Sequence, residues 1–268
     1  MQRLQGLGVL VTRPELQAMP LCRLLHTEGA ETMKLPAIDI RAHGERRALA
    51  AALGPLEKFA LVIFTSANAV RFGVSLLDQR RDLELAAIGP ATARALNQAG
   101  YRVAISPHQS IDSEGLLRHP RLTHVAGERV LLVTGANGRQ WLPAELDRRG
   151  AHVFSACVYE RVPASPSAAV LAAVQERFAA GALHVITATS LDIANHLLAL
   201  VPPGLRGDFE RAHWLVPGAR IAAGLRERGL QAPLLQADSA EDQDLVAALL
   251  RWRSGASDKV GATSLPQA

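Results

Sequence analysis

The chain has 268 residues, 49% of them hydrophobic and 20% charged, which supplies a packed core and leaves no case for disorder across its main body. At about 150 residues per domain, that length corresponds to about two domains. Net charge is +4, spread along the chain without a long block of one sign, and aromatics are only 4%, so neither a nucleic-acid tract nor a base-stacking surface is expected.

No apolar run approaches the roughly 18 residues that span a bilayer, so no membrane partner is expected. The opening MQRLQGLGVLVTRPE lacks a long apolar region and a small-residue cleavage site, and no export is expected. Two cysteines, Cys22 and Cys157, cannot build a disulfide framework or a four-ligand zinc site. A reducing cytoplasm is the expected setting.

In chain order, residues 7–12 read as a buried strand, and Pro14 opens a helix that runs to Glu28 and is stopped by Gly29. Further strands are predicted at 60–65, 84–88, 129–134, 152–158, 183–187 and 213–216, with shorter ones at 31–35, 101–105 and 232–236. Helices are predicted at 67–77, 90–99, 138–149, 167–180, 190–200, 218–228 and 240–252. This alternation predicts an α/β fold with parallel sheets covered on both faces. The stretch 119–128 reads as a connection, and the tail 254–268 lacks apolar periodicity and is expected to be disordered.

An internal repeat underlies this order. Thr12 and Gly29 match Thr134 and Gly150, and Thr65 in VIFTSAN matches Thr187 in VITATSL. AIGPATARALNQAG then resembles LVPGARIAAGLRERG, setting Gly89 against Gly218 and Gly100 against Gly229. Residues 8–118 and 129–250 are therefore two copies of one plan.

Candidate functional residues gather where strands hand over to helices, the ligand-binding edge of open α/β sheets. They are Thr12 and Arg13; Thr65 and Ser66; Thr92; Asn137 and Arg139; Thr187 and Ser190; and Arg220. Backbone N–H groups at helix starts, together with hydroxyls and arginines, suit a polycarboxylate or other polyanion. Ser66, Thr92 and Ser190 can each cap their own helix as readily as meet a ligand. Phosphate-loop, dinucleotide, HExxH, CxxC and GxSxG motifs are absent, the nine histidines are scattered, and no metal is expected. Glu145 and Asp147 lie beside Arg148 and Arg149 at the spacing of a solvated helix face. Tyr159 ends the strand HVFSACVYERV. It reads equally as a general acid or as an edge tyrosine packed at a hinge.

The ordered set VLVTRP, VIFTSANAV, AIGPATARAL, Ser113-Glu114-Gly115-Leu116-Leu117, VLLVTGANGR, RGAHVFSACVYER and ITATS/VPGARIAAGL resembles the uroporphyrinogen-III synthase family, from about residue 8 to residue 250. The resemblance implies two flavodoxin-like parallel five-stranded α/β domains joined by a two-stranded β-ladder, with an active-site cleft between them. The first domain would take 1–37 plus 162–253 and the second 38–161, with crossings near Pro36–Ile40 and Tyr159–Pro163. It implies cofactor-free closure of the linear tetrapyrrole hydroxymethylbilane to uroporphyrinogen III, with ring D inverted through a spiro intermediate and loss of water. The enzyme would be a monomeric hydro-lyase.

By the same resemblance Tyr159 assists hydroxyl departure. Ser66 and Thr92 line the cleft, and Arg13 binds a carboxylate. In the second copy, Gly218-Ala219-Arg220-Ile221-Ala222 stands where the family has GPTTA, and ITATS stands for FTSPS. Those changes motivate an alternative, a non-catalytic tetrapyrrole-binding paralogue. A small-anion module resembling periplasmic binding proteins is a third reading, disfavoured by the missing export signal.

Overall fold

Every residue of Gly8–Val11 is buried, and this run forms strand β1 in the interior of a sheet. The computed structural model describes residues 2–107, 113–136 and 138–255. After β1 come α1 (Glu15–Thr27), β2 (Glu31–Lys34), β3 (Ile38–Ala42), α2 (Arg46–Leu53), β4 (Leu61–Phe64) and α3 (Ala67–Gly73). Next are β5 (Leu85–Ala87), α4 (Pro90–Gln98), α5 (Ser113–Leu117), β6 (Arg129–Gly135), α6 (Trp141–Arg148) and β7 (His152–Pro163). The chain continues through α7 (Ala168–Ala179), β8 (Val185–Thr187), α8 (Leu191–Leu200), α9 (Pro203–Arg211), β9 (His213–Pro217), α10 (Gly218–Glu227), β10 (Leu234–Ala237) and α11 (Asp242–Arg253).

Two compact units result. One takes the chain up to Asp39 and from Val162 onward, and the other is Ile40–Arg161. The two sheets have the orders β10-β9-β8-β1-β2 and β3-β7-β6-β4-β5. Alternation along the strands buries both faces of each sheet. In the first, Leu10, Ile186, Trp214 and Val216 join one core, whereas Val9, Val11, Val185 and Leu215 join the other. In the second, Val62, Phe64, Leu131 and Val133 oppose Leu61, Ile63, Val130 and Leu132 in the same way.

The sheet orders give the sequence repeat a physical form. The repeat equates β1 with β6, β2 with β7, β8 with β4 and β9 with β5. In the second sheet Ile105 bridges to Ala86 beyond β5, standing where β10 stands in the first. Read through these equivalences, the two orders are the same. Each unit thus joins the opening βαβ of one copy to the later strands of the other, so the repeat and the compact units do not coincide along the chain. The pairings within each set are parallel, as in β1 with β2 and β8, and β6 with β4 and β7. At the edge, β3 lies against β7. The His43 amide donates to the Val158 carbonyl, and the Ala164 amide donates to the Ala37 carbonyl, both at 3.0 Å. As β3 advances β7 recedes, so this pair is antiparallel.

Several local expectations change. The strand expected at 101–105 reduces to the single bridge at Ile105. The helix expected over 67–77 is α-helical to Gly73 and tightens to a 3-10 turn over Val74–Leu77. Gly73 sits where a Cβ would come 2.5 Å from Val133 Cγ1, so the helix closes directly on the sheet. The strand expected over 152–158 continues to Pro163. Helices α2 and α9 were not anticipated. α9 starts with Pro203 at its first turn and hides its identity behind Gly204 and Gly207, but Leu205 and Phe209 bury one face at i, i+4 spacing. The connection 119–128 contains a 3-10 turn at Pro120–Thr123. Of the tail 254–268, Ser254 and Gly255 close α11, and the remainder lies outside the described residues.

Two consequences are measurable. Thr187 Oγ1 accepts the Thr12 amide proton at 3.2 Å in a site with no exposure. Thr187→Val leaves that amide unpaired and is expected to cost about 1–3 kcal/mol, read as a lower midpoint in the urea transition of this unit. His213 is pushed below the ordinary histidine value of 6.5, first by burial and then by the neighbouring His184. The unfolded chain then binds more protons at this residue than the folded one, so its contribution is complete above pH 6.5 and is lost as pH falls through the lowered folded value. Thermal midpoints recorded from neutral to mildly acidic pH should fall less steeply in His213→Gln than in the unmodified protein.

Candidate functional site

In each sheet the strand order reverses at one place, where consecutive crossovers leave in opposite directions and open a crevice at the carboxyl ends of the strands. That place lies between β6 and β4 in one unit and between β1 and β8 in the other. A threonine lies within one residue of the carboxyl end of each of these four strands: Thr134, Thr65, Thr12 and Thr187.

In the unit Ile40–Arg161, Thr65 Oγ1 donates to Thr134 Oγ1 at 3.0 Å and lies 3.3 Å from the Val133 carbonyl. Ser66 caps α3, its Oγ accepting the Ala69 amide proton at 2.9 Å. The same hydroxyl donates to the Tyr159 hydroxyl at 3.2 Å. The tyrosine reaches this place because the β6–β7 register slips between Thr134 and Gly135: Thr134 faces Cys157, but Gly135 faces Tyr159. A slip of this kind re-aims the side chains beyond it. Gly135 then leaves the space that the ring occupies, since a Cβ there would lie 2.5 Å from Tyr159 Cζ. Phe72 stacks on the same ring with centroids 6.1 Å apart. Tyr159 is 7% exposed.

With Ser66 as the donor of this hydroxyl pair, the phenol's own O–H is left for a further partner. A phenol held by a capped serine between Gly135 and Phe72 can deliver a proton in a fixed direction. Thr92 is buried in the first turn of α4. Gly138 folds back so that a Cβ would lie 3.0 Å from Thr134 Oγ1, and Arg139 is exposed just beyond it. Asn137 lies outside the described residues.

In the other unit Thr12 and Thr187, expected as ligand contacts, are engaged with each other. Both have no exposure, Thr12 Oγ1 donates to the Thr187 carbonyl, and Thr187 Oγ1 receives the Thr12 amide. They fasten two strand ends to each other. Arg13, expected to bind a carboxylate of the ligand, already has partners within the unit. It is 7% exposed, with Nη1 paired to the Asp242 carboxylate and Nη2 donating to the Ala240 carbonyl. A cavity of about 340 Å³ opens beside it, bounded also by Gln17, Pro20, Thr189 and Glu241. Ser190 caps α8 through the Ile193 amide at 3.1 Å and stays partly exposed. Arg220 is exposed on the first turn of α10.

Sequence reasoning missed the partners. Thr134 carried a signal as the repeat counterpart of Thr12, and Asp242 one as an acidic helix opener, but nothing in the sequence paired Asp242 with Arg13, 229 residues away. Arg148 and Arg149 are engaged by Glu145, whose carboxyl their hydrogen bonds pull down to about 2, first through Arg148 and then Arg149. Among the described residues no three His, Cys, Asp or Glu side chains gather as a metal site, and no helix is long and apolar enough to cross a membrane.

The comparisons agree with this architecture. A family model described as uroporphyrinogen-III synthase HemD matches residues 20–247. The uroporphyrinogen-III synthase of Escherichia coli K12 is 31% identical over 254 residues, covering 91% of this chain and all of that one. The Chlorobaculum parvum protein of the same name is 30% identical, covering 85% and 92%. Among solved structures, uroporphyrinogen-III synthetase from Helicobacter pylori aligns with a TM-score of 0.58 at 15% identity, covering 92% of this chain and 99% of that one. A mutant uroporphyrinogen III synthase from Thermus thermophilus aligns at 0.55 and 19%, covering 93% and 98%; both likenesses concern the fold. With its α/β architecture of two five-stranded sheets and a match running through most of its length, the chain belongs to the uroporphyrinogen-III synthase family.

Proposed function

We propose that this chain is a uroporphyrinogen-III synthase, a cyclising hydro-lyase that converts hydroxymethylbilane to uroporphyrinogen III, and that Tyr159 supplies the proton for its first step. The observation that carries the second part is the Ser66–Tyr159 hydroxyl pair at the strand-order reversal of the unit Ile40–Arg161. Proton transfer from Tyr159 to the departing hydroxyl breaks the C–O bond and releases water, leaving an azafulvene cation on ring A. The substituted α-carbon of ring D attacks that cation and forms the spiro intermediate. Its fragmentation moves the cation to ring C, where the free α-carbon of ring D closes the macrocycle. The proton lost as ring D regains aromaticity replaces the one Tyr159 gave.

The chemistry asks little acid–base work beyond that step, since the main barrier is orientational: the hindered carbon must attack before the free one. Ser66, with its oxygen fixed by the Ala69 amide, restrains the phenol, and Thr65 and Thr134 hold the strand ends from which both loops depart. The substrate's acetate and propionate groups suit the exposed Arg139 and Arg220, with Thr92, Asn137 and Ser190 as further polar contacts. Arg13 meets a carboxylate only by exchange with Asp242, and Thr12 and Thr187 act by holding the strands beneath it. We also infer that both units are flavodoxin-like and that the chain passes between them along β3 and β7. Their common strand order and the antiparallel β3–β7 pair support that reading.

Freshly made hydroxymethylbilane, closed with and without the protein and oxidised for chromatography, tests the assignment. A protein-dependent excess of isomer III is expected, because unaided closure gives isomer I; isomer I alone with folded protein overturns it. Tyr159→Phe is expected to lower turnover at least about tenfold, which corresponds to about 1.4 kcal/mol of barrier, with the circular dichroism spectrum retained. Gly135→Ala should also lower turnover, although the phenol is still present, because the new methyl displaces the ring. Full activity in both variants would remove Tyr159 from the mechanism.

A further inference from the structure

Trp141 is an exposed aromatic side chain in a chain that otherwise hides its large rings. It is 44% exposed and is the single aromatic among the exposed large hydrophobic residues described. By contrast, Trp214 has no exposure and donates from Nε1 to the Phe209 carbonyl at 2.8 Å, and Trp252 is half-buried against His213. Core packing explains those two and does not explain Trp141: α6 buries Leu142 and Leu146, and Trp141 projects from another part of its surface.

Its position in the chain ties it to the Tyr159 site. Trp141 is the first residue of α6, and the loop before it starts at Gly135, the residue against the Tyr159 ring, and folds Gly138 onto Thr134. Side chains of an α-helix tilt toward its N-terminus. That tilt directs a side chain at the first position of α6 toward the carboxyl end of β6 rather than along the helix, and exposed Arg139 stands two residues before it. An uncovered indole next to a guanidinium matches a ligand that presents flat π-faces fringed with carboxylates.

We propose that Trp141 is a substrate-positioning residue whose indole packs on a pyrrole face of the linear tetrapyrrole while Arg139 meets one of that ring's acid groups. The inference rests on the synthase reading above and deepens it. Stacking holds one ring against rotation while leaving the reacting bonds elsewhere, so its effect belongs mainly to substrate affinity.

The test measures KM, kcat and the isomer III fraction for the unmodified protein, Trp141→Ala and Trp141→Phe, together with quenching of tryptophan emission by uroporphyrinogen III under oxygen-free, reducing conditions. Trp141→Ala should raise KM about five- to tenfold with kcat nearly unchanged, as the loss of one aromatic contact predicts. Trp141→Phe should recover most of the affinity. The exposed, red-edge part of the emission should be quenched by the product in the unmodified protein and be absent from both variants. An unchanged KM in Trp141→Ala, or product binding that leaves the red-edge emission untouched, overturns the proposal. If the unmodified protein makes no isomer III, the synthase reading itself fails, an outcome distinct from an active enzyme indifferent to Trp141.

Discussion

A threonine at the end of one central strand, tied to a threonine at the end of its neighbour, recurs at the strand-order reversal of each unit, and the candidate site is arranged around it. Parallel strands splay where the ladder stops, and the backbone groups there have lost their regular partners. Thr12 with Thr187, and Thr65 with Thr134, satisfy those groups with short side chains that add little bulk. In one unit the tie is sealed from solvent, and the next residue, Arg13, is buried and paired with Asp242. In the other it stays partly open, and the loops leaving it carry Ser66, Gly135 and Gly138. The same device thus serves as a structural rivet in one place and as the floor of the candidate site in the other.

The contrast between the two reversals explains why equivalent residues do not share a role. A repeat equates Thr12 with Thr134 and Thr187 with Thr65, but only the pair in the unit Ile40–Arg161 has a tyrosine beside it. That tyrosine arrives through a one-residue slip in the β6–β7 register. A regular ladder would place it on the other face of the sheet. Gly135 and Phe72 then define the slot for its ring, and Ser66 restrains the hydroxyl. Geometry accounts for this arrangement without a charged group, which suits a reaction governed by orientation.

Charge is handled in the opposite way. Arg13, Arg148 and Arg149 have their charges met by carboxylates of the same unit, and Arg121 bridges Glu84 and Glu128 at 2.9 Å each. A chain with a modest basic excess therefore spends many of its arginines on itself. The exposed Arg139 and Arg220 sit where helices begin at the carboxyl edges of the sheets, the place from which a polyacid can be gripped.

The amino-acid sequence by itself determined the α/β class, the main strands and helices, the two copies of one plan and the strand-to-helix loops that hold the candidate residues. Those features are local: a buried parallel strand must be apolar throughout, a helix must be amphipathic, and turns need glycine, so each leaves a pattern within a few residues. Motif order carried the family. That each unit combines halves of both copies was implied by the resemblance and by no local pattern; the tertiary structure carries it, because sheet neighbours are chosen by packing across more than a hundred residues. The tertiary structure also decided that Thr12, Thr187 and Arg13 face inward, since the partners Thr187 and Asp242 lie 175 and 229 residues away from theirs and no short-range pattern encodes such a pairing. The Ser66–Tyr159 contact has the same origin: both residues were legible as candidates, but their meeting depends on a register slip and on the space left by Gly135.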